Sequence, residues 1–194
     1  MDDFLRALLG VFAAVAPFGA LPVYAALAQE SDTARRPQTV LLACLAAFAL
    51  LAGAALVADP LLDWLDVSPE NFQFAAGLIM SPLAARLLLT GRSMPTPRGD
   101  LDATSVPWLA PLALPLVAGP AALAAAMTYA ARYGVAEALI ASAAVLALTA
   151  VLLLASRRLA GVLGTAGTDA AARLSGALLI VIAVELAVDG VRSV

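Results

Sequence analysis

Two short proline-glycine sequences interrupt runs that are otherwise apolar: Pro17-Phe18-Gly19-Ala20-Leu21-Pro22 and Pro115-Leu116-Val117-Ala118-Gly119-Pro120. Their prolines are identically spaced, and the second set follows the first at an offset of 98. Proline removes a backbone donor and clashes with the carbonyl four residues back, so two prolines around a glycine should unwind a helix. Unwound backbone at membrane depth is tolerated only where it is buried in protein or lines a cavity. The half-helix N-termini so created offer free N–H groups and partial positive charge, which suit a carboxylate. The freed carbonyls suit an ammonium group or a cation. Together the two ends would hold a zwitterion without any charged side chain. The candidate substrate-binding residues are therefore Pro17, Phe18, Gly19, Ala20 and Pro22 in one break, and Pro115, Ala118, Gly119 and Pro120 in the other. A pair of simple proline kinks is the rival reading, and corresponding breaks in both halves favour the functional one.

Three ionisable side chains also fall inside apolar runs: Arg86, Glu185 and Asp189. A charge in hydrocarbon costs roughly 2.5–3.5 kcal/mol on insertion scales, so each invites an explanation. Glu185 and Asp189 are four apart and share a helix face. Asp189 lies near the end of its run, where solvation would suffice, whereas Glu185 is deeper and is the better proton- or cation-coupling carboxylate. Arg86 either snorkels to the headgroups or faces a cavity. Arg86 and Glu185 should differ in depth by about 15 Å, at 1.5 Å per helical residue, which argues against a direct ion pair. Ser81, beside Pro82, joins these as a gating or coupling candidate, because that proline frees a carbonyl near mid-span.

The elements that must position these groups follow from composition. Hydrophobic residues make up 63% of the 194-residue chain and charged residues 13%, with a mean hydropathy of +0.96, which excludes a soluble globule. Uninterrupted apolar runs near 20 residues match the roughly 30 Å hydrocarbon core and exclude a β-barrel. The sequence predicts an all-α membrane protein with spans at about 4–28, 39–58, 71–91, 106–131, 136–156 and 171–191. Spans one and four carry the breaks. Asp59 to Glu70 reads as a short amphipathic turn with Trp64 at the headgroup level. Gly161, Gly164 and Gly167 read as a loop before the last span. The chain holds no histidine, and its single cysteine, Cys44, sits mid-run as a packing residue. That leaves no disulfide, no resident metal site and no histidine-based catalysis, and no nucleophile–base pair marks an enzyme. No basic tract suggests nucleic acid.

The loops after spans one, three and five hold Arg35, Arg36, Arg92, Arg98, Arg157, Arg158 and the flanking Arg173, against Arg6, Arg132 and Arg192 on the other side. The positive-inside rule puts the first set in the cytoplasm and both termini outside. An odd number of spans per half also inverts the second half. At an offset of 99, Gly77 through Gly91 falls on Gly176 through Gly190, aligning Arg86 with Glu185. The chain thus reads as one transmembrane domain of two inverted three-helix repeats, about 1–98 and 99–194. Inverted repeats with a broken helix in each are a signature of secondary transporters, with the site where the breaks meet.

At these residues the sequence resembles the MarC family of bacterial inner-membrane proteins over nearly its whole length. The resemblance rests on Pro17 to Pro22, on Ala75-Ala76-Gly77 through Arg86, on Leu114 to Pro120, and on Asp189-Gly190. It implies six transmembrane helices, an inner-membrane location and a relationship to small neutral amino acid transporters coupled to a cation such as Na+ or H+. The chain departs from the family pattern in three places. Ala16-Pro17 stands where the family usually has Asn-Pro. Gly119-Pro120-Ala121 stands where it has Gly-Pro-Gly followed by Ser or Thr, and Glu185 where it often has glutamine. The expected function is a secondary transporter of a small solute, with no cofactor and with membrane lipids as surroundings. Small residues on spans two and five would permit a homodimer. The rivals are a lipid-handling protein, which predicts a laterally open groove leading to Arg86, and a membrane scaffold.

Overall fold

Proline begins three of the helices, in the first turn where its missing N–H costs nothing. Pro37 opens one, Pro69 follows the cap Ser68, whose hydroxyl accepts from the Asn71 N–H, and Pro120 follows Gly119. The computed structural model describes residues 2–21, 24, 37–91 and 118–192. Its helices are α1 (Asp2–Val15), α2 (Pro37–Leu65), α3 (Pro69–Thr90), α4 (Pro120–Tyr133), α5 (Val135–Leu154) and α6 (Ser156–Arg192), with no strand among the described residues. Five stretches are long and apolar enough to cross a membrane: Asp3–Leu21, Pro37–Leu65, Pro69–Thr90, Val135–Leu154 and Asp169–Arg192. Of the expected fourth span only α4 is described, and residues 101–117 lie outside the described part.

Two boundaries differ from expectation. The Asp59–Glu70 stretch is not a turn, because α2 continues through Pro60 to Leu65 and the chain reverses only at Asp66, whose φ is 54°. Apolar residues at 61, 62, 64 and 65 keep helical spacing, and burial of Leu62 outweighs the one hydrogen bond that Pro60 removes. The glycines at 161 and 167 likewise stay in helical turns. Only Gly164 uses the freedom of a missing Cβ, with φ 63° and ψ −177°, breaking α6 before its membrane-length part.

Antiparallel packing of α3 on α6 is the most extensive contact in the bundle. Glycine makes it close. A Cβ placed on Gly77 would lie 2.5 Å from the Ala183 carbonyl oxygen and 2.9 Å from the Ala187 Cβ. One placed on Gly176 would lie 2.5 Å from the Leu88 nitrogen. The offset of 99 that carries Gly77 onto Gly176 also carries Leu88 onto Ala187. Toward the helix ends, Gly190 abuts Glu70 and Gly91 abuts Asp169, and the same offset exchanges these two contacts. Other contacts follow suit. α2 packs on α4 as α1 packs on α5, while the pairs α2–α5 and α1–α4 map onto themselves.

Alanines fill the interfaces, with Ala43, Ala47, Ala55 and Ala58 buried on α2 and Ala121, Ala122, Ala125 and Ala126 on α4. Small side chains let backbones approach where lipid offers no hydrophobic drive. Large apolar side chains turn outward instead, among them Leu45, Leu89, Ile140, Val151 and Val181. Trp64, at the end of α2, is exposed as an interfacial ring should be.

Candidate functional site

The first break lies at Ala16, one residue before the proline. Ala16 adopts φ 48°, its N–H still donates to the Phe12 carbonyl at 2.9 Å, and helix resumes over 17–21. Its own carbonyl accepts from Gly19 at 2.8 Å and from Ala20 at 3.3 Å. Pro17 has no N–H, so the Ala13 carbonyl lacks its usual donor four residues on. Pro17, Gly19 and Ala20 are buried, and Phe18 meets Phe12 edge-on with ring centroids 6.3 Å apart.

Of the second expected break, residues 118–120 are described. Gly119, at φ −67° and ψ 173°, caps α4 without a side-chain hydrogen bond, and Pro120 follows. Among the described residues the helical ladder starts with the Leu123 amide, which donates to the Gly119 carbonyl at 3.0 Å. The Ala121 and Ala122 N–H groups precede the helical ladder, and both residues are buried. Ala118 is buried, Gly119 half-buried and Pro120 exposed. Pro22 and Pro115 lie outside the described residues.

Polarity and depth now combine. α1 and α4 both have 14 residues between the break and the same end of the bundle, the end that carries Arg6. At 1.5 Å per residue both breaks lie about 21 Å from that end, somewhat past the middle of a 30 Å core. α1 presents its carbonyl end there and α4 its amide end. Ala20 and Leu21 join the same buried cluster as Ala118, Ala121 and Ala122.

A second feature occupies the Arg6 end. A cavity of about 220 Å³ opens among α1, α4 and α6, with Arg6, Tyr129, Arg132, Tyr133 and Glu185 as its polar lining. Arg132 Nη1 donates to Asp189 Oδ2 at 2.9 Å, and both side chains are roughly 30% exposed. Asp189 is therefore ion-paired rather than merely solvated. The Arg132 guanidinium lies 5.4 Å from the Tyr133 ring centroid, and Tyr133 stacks on Tyr129 at 5.9 Å. Tyr129 in turn fills the space above Gly10, where a Cβ would collide with its ring. Arg6 of α1 and Glu185 of α6 line the same cavity as Tyr133.

Arg86 is exposed on α3 toward the opposite end from Glu185, as the depth argument required, and the two do not pair. The Ser81 hydroxyl donates to the Gly77 carbonyl at 2.8 Å within its own helix. Sequence spacing treated Arg6 and Arg132 only as markers of membrane side, and Tyr129 as packing. The available signal was the i, i+4 pair Tyr129–Tyr133 flanking Arg132, opposite the equally spaced Glu185–Asp189 on a second helix.

Comparison with known families places this bundle. A family model described as MarC family integral membrane protein matches residues 1–194. The chain belongs to the MarC family. Among curated MarC relatives, UPF0056 inner membrane protein YhgN of Escherichia coli K12 is 27% identical, with 99% of this chain and 98% of the relative aligned. UPF0056 membrane protein MJ1677 of Methanocaldococcus jannaschii is 26% identical over 99% of this chain and 97% of its own length. UPF0056 membrane protein YhcE of Escherichia coli K12 is 25% identical over 98% and 93%. No solved structure matches this MarC protein.

Proposed function

We propose that this MarC protein is a secondary transporter of a small zwitterionic solute, best a small neutral amino acid. The reading is supported by the equal lengths of α1 and α4, which put helix ends of opposite polarity at one depth. The α4 amide end, with the Ala121 and Ala122 N–H groups, would receive a carboxylate. The α1 carbonyl end, with the Ala13 carbonyl left open by Pro17, would receive the ammonium group or a coupling Na+. Backbone thus does the work that polar side chains do at these positions in the family pattern.

Alternating access would rock α1–α3 against α4–α6. Arg6 belongs to the first half, and Tyr133 and Glu185 to the second, so the cavity they line crosses the moving boundary and would act as a gate at the Arg6 end. Asp189, held by Arg132 within the second half, keeps the ends of α4 and α6 together. Arg86 holds the inverted position of Glu185 and would gate the other side, one turn beyond Ser81 and Pro82 on the same helix. The arginine bias in the loops assigns the Arg6 end to the outside, with a bacterial inner membrane as the setting.

Gly119→Leu tests the site. Gly119 has an ordinary φ of −67°, so leucine introduces no backbone strain and any loss reports occluded space. Saturable uptake of labelled glycine or alanine by wild-type proteoliposomes, lost in Gly119→Leu with insertion intact, supports the assignment. Unchanged uptake in the variant refutes it.

A further inference from the structure

The cavity at the Arg6 end is walled on its membrane side by residues that face lipid. Leu9 of α1 and Leu178 and Val181 of α6 line it while being 49%, 46% and 63% exposed. α1 and α6 touch over only a short stretch, so the gap between them opens laterally, with Tyr129 and Tyr133 of α4 as its floor. The apolar wall from Glu185 down to Leu178 spans seven residues, about 10 Å of helix, beneath a polar rim. That is the profile of a lipid: a charged head with the upper part of an acyl chain below it.

The rim selects the head. Arg132 is neutralised by Asp189 at 2.9 Å, whereas Arg6 of α1 and Glu185 of α6 line the cavity without closing into an ion pair with each other. One cation and one anion are thus set apart across the groove. Glu185 also stands about 10 Å below the Arg192 end of α6, on an exposed face, where an unpaired carboxylate is costly. A bound ammonium group would remove that cost. We propose that the groove between α1 and α6 binds one zwitterionic aminophospholipid, with its phosphate on Arg6, its ammonium on Glu185 and an acyl chain along Leu9, Leu178 and Val181. A phosphatidylglycerol-type lipid would satisfy Arg6 but offer Glu185 a neutral head with no positive charge to offset its own. A choline head carries no N–H to donate to the carboxylate. The lipid would also bridge the two halves at the proposed gate, although its binding does not depend on transport.

The test is native mass spectrometry of the full chain in mild detergent, with phosphatidylethanolamine, phosphatidylglycerol and phosphatidylcholine of identical chains in competition. One retained ethanolamine lipid is expected, favoured about ten-fold over either rival, the scale of one charge-assisted hydrogen bond. Glu185→Gln should erase the preference for ethanolamine over glycerol, and Arg6→Gln should weaken both about ten-fold. Val181→Trp, at an exposed position, should block the apolar wall with the charges intact, and it keeps the test open if a charge variant misfolds. Equal retention of the three lipids, or retention unchanged in all three variants, overturns the proposal. So does competition by soluble glycerophosphoethanolamine at concentrations equal to those of the lipid, which would mark a solute site instead.

Discussion

Replacing Gly176 by alanine adds a single methyl group, and the bundle has no room for it. The new Cβ would stand 2.5 Å from the Leu88 nitrogen and 2.9 Å from the Leu87 carbonyl carbon, both backbone atoms that cannot rotate away. Ordinary contact begins near 3.4 Å, so α3 and α6 must separate locally by almost 1 Å or tilt. Overpacking of this kind costs about 1–3 kcal/mol. Against it stands alanine's helix propensity, worth about 1 kcal/mol in the opposite direction. A net loss of up to about 2 kcal/mol corresponds to a fall in Tm of up to roughly 8 °C for a chain of this size. Gly77→Ala should behave alike, because the Ala183 carbonyl oxygen lies 2.5 Å from its new Cβ. The double variant should lose less than the sum, since helices already parted by one methyl accommodate the second. Gly53→Ala is the control: nothing lies within 4 Å of its Cβ, so propensity alone should raise stability slightly. Thermal unfolding in detergent, followed by circular dichroism, reads all four. If Gly77→Ala and Gly176→Ala shift Tm upward as Gly53→Ala does, the close α3–α6 contact is refuted.

Three further outcomes follow from the same geometry. Ala16 pays about 1 kcal/mol for its positive φ, so Ala16→Asn should raise Tm by a few degrees and Ala16→Val should lower it, both read by thermal unfolding. Arg132→Gln should cost at most about 1 kcal/mol, because its ion pair with Asp189 is partly solvated, and a double-mutant cycle with Asp189→Asn measures the coupling. Gly10→Ala should expel Tyr129 from its seat on α1, which near-ultraviolet dichroism of the stacked tyrosines would register.

The fold was legible because its signals are local and repeated. Membrane-length apolar runs need only composition, and the offset of 99 between the glycines at 77 and 176 marked the repeat, whereas their close packing is seen only in the fold. Helix ends were less legible. The prolines and glycines at 60, 161 and 167 advertise breaks, yet a one-bond penalty or about 1 kcal/mol per glycine does not unwind a helix whose neighbours keep apolar spacing. At the candidate site, sequence located the first break but not its displacement to Ala16, which is set by how Pro17 seats, and most of the second expected break lies outside the described residues. The Arg6 cavity was illegible for a different reason. Its polar groups come from three helices, with 123 positions from Arg6 to Tyr129 and 52 from Tyr133 to Glu185, and the packing of Tyr129 over Gly10 helps to bring α4 beneath them.

The central claim is that opposed half-helix ends hold a zwitterion for transport. It is tested most directly by uptake of labelled glycine and alanine into proteoliposomes, with imposed sodium or proton gradients, for the wild-type chain and for Gly119→Leu side by side. Saturable, gradient-driven uptake that Gly119→Leu abolishes is the expected result. Folded protein that moves neither amino acid under any gradient, or that moves them equally well with leucine at 119, contradicts it.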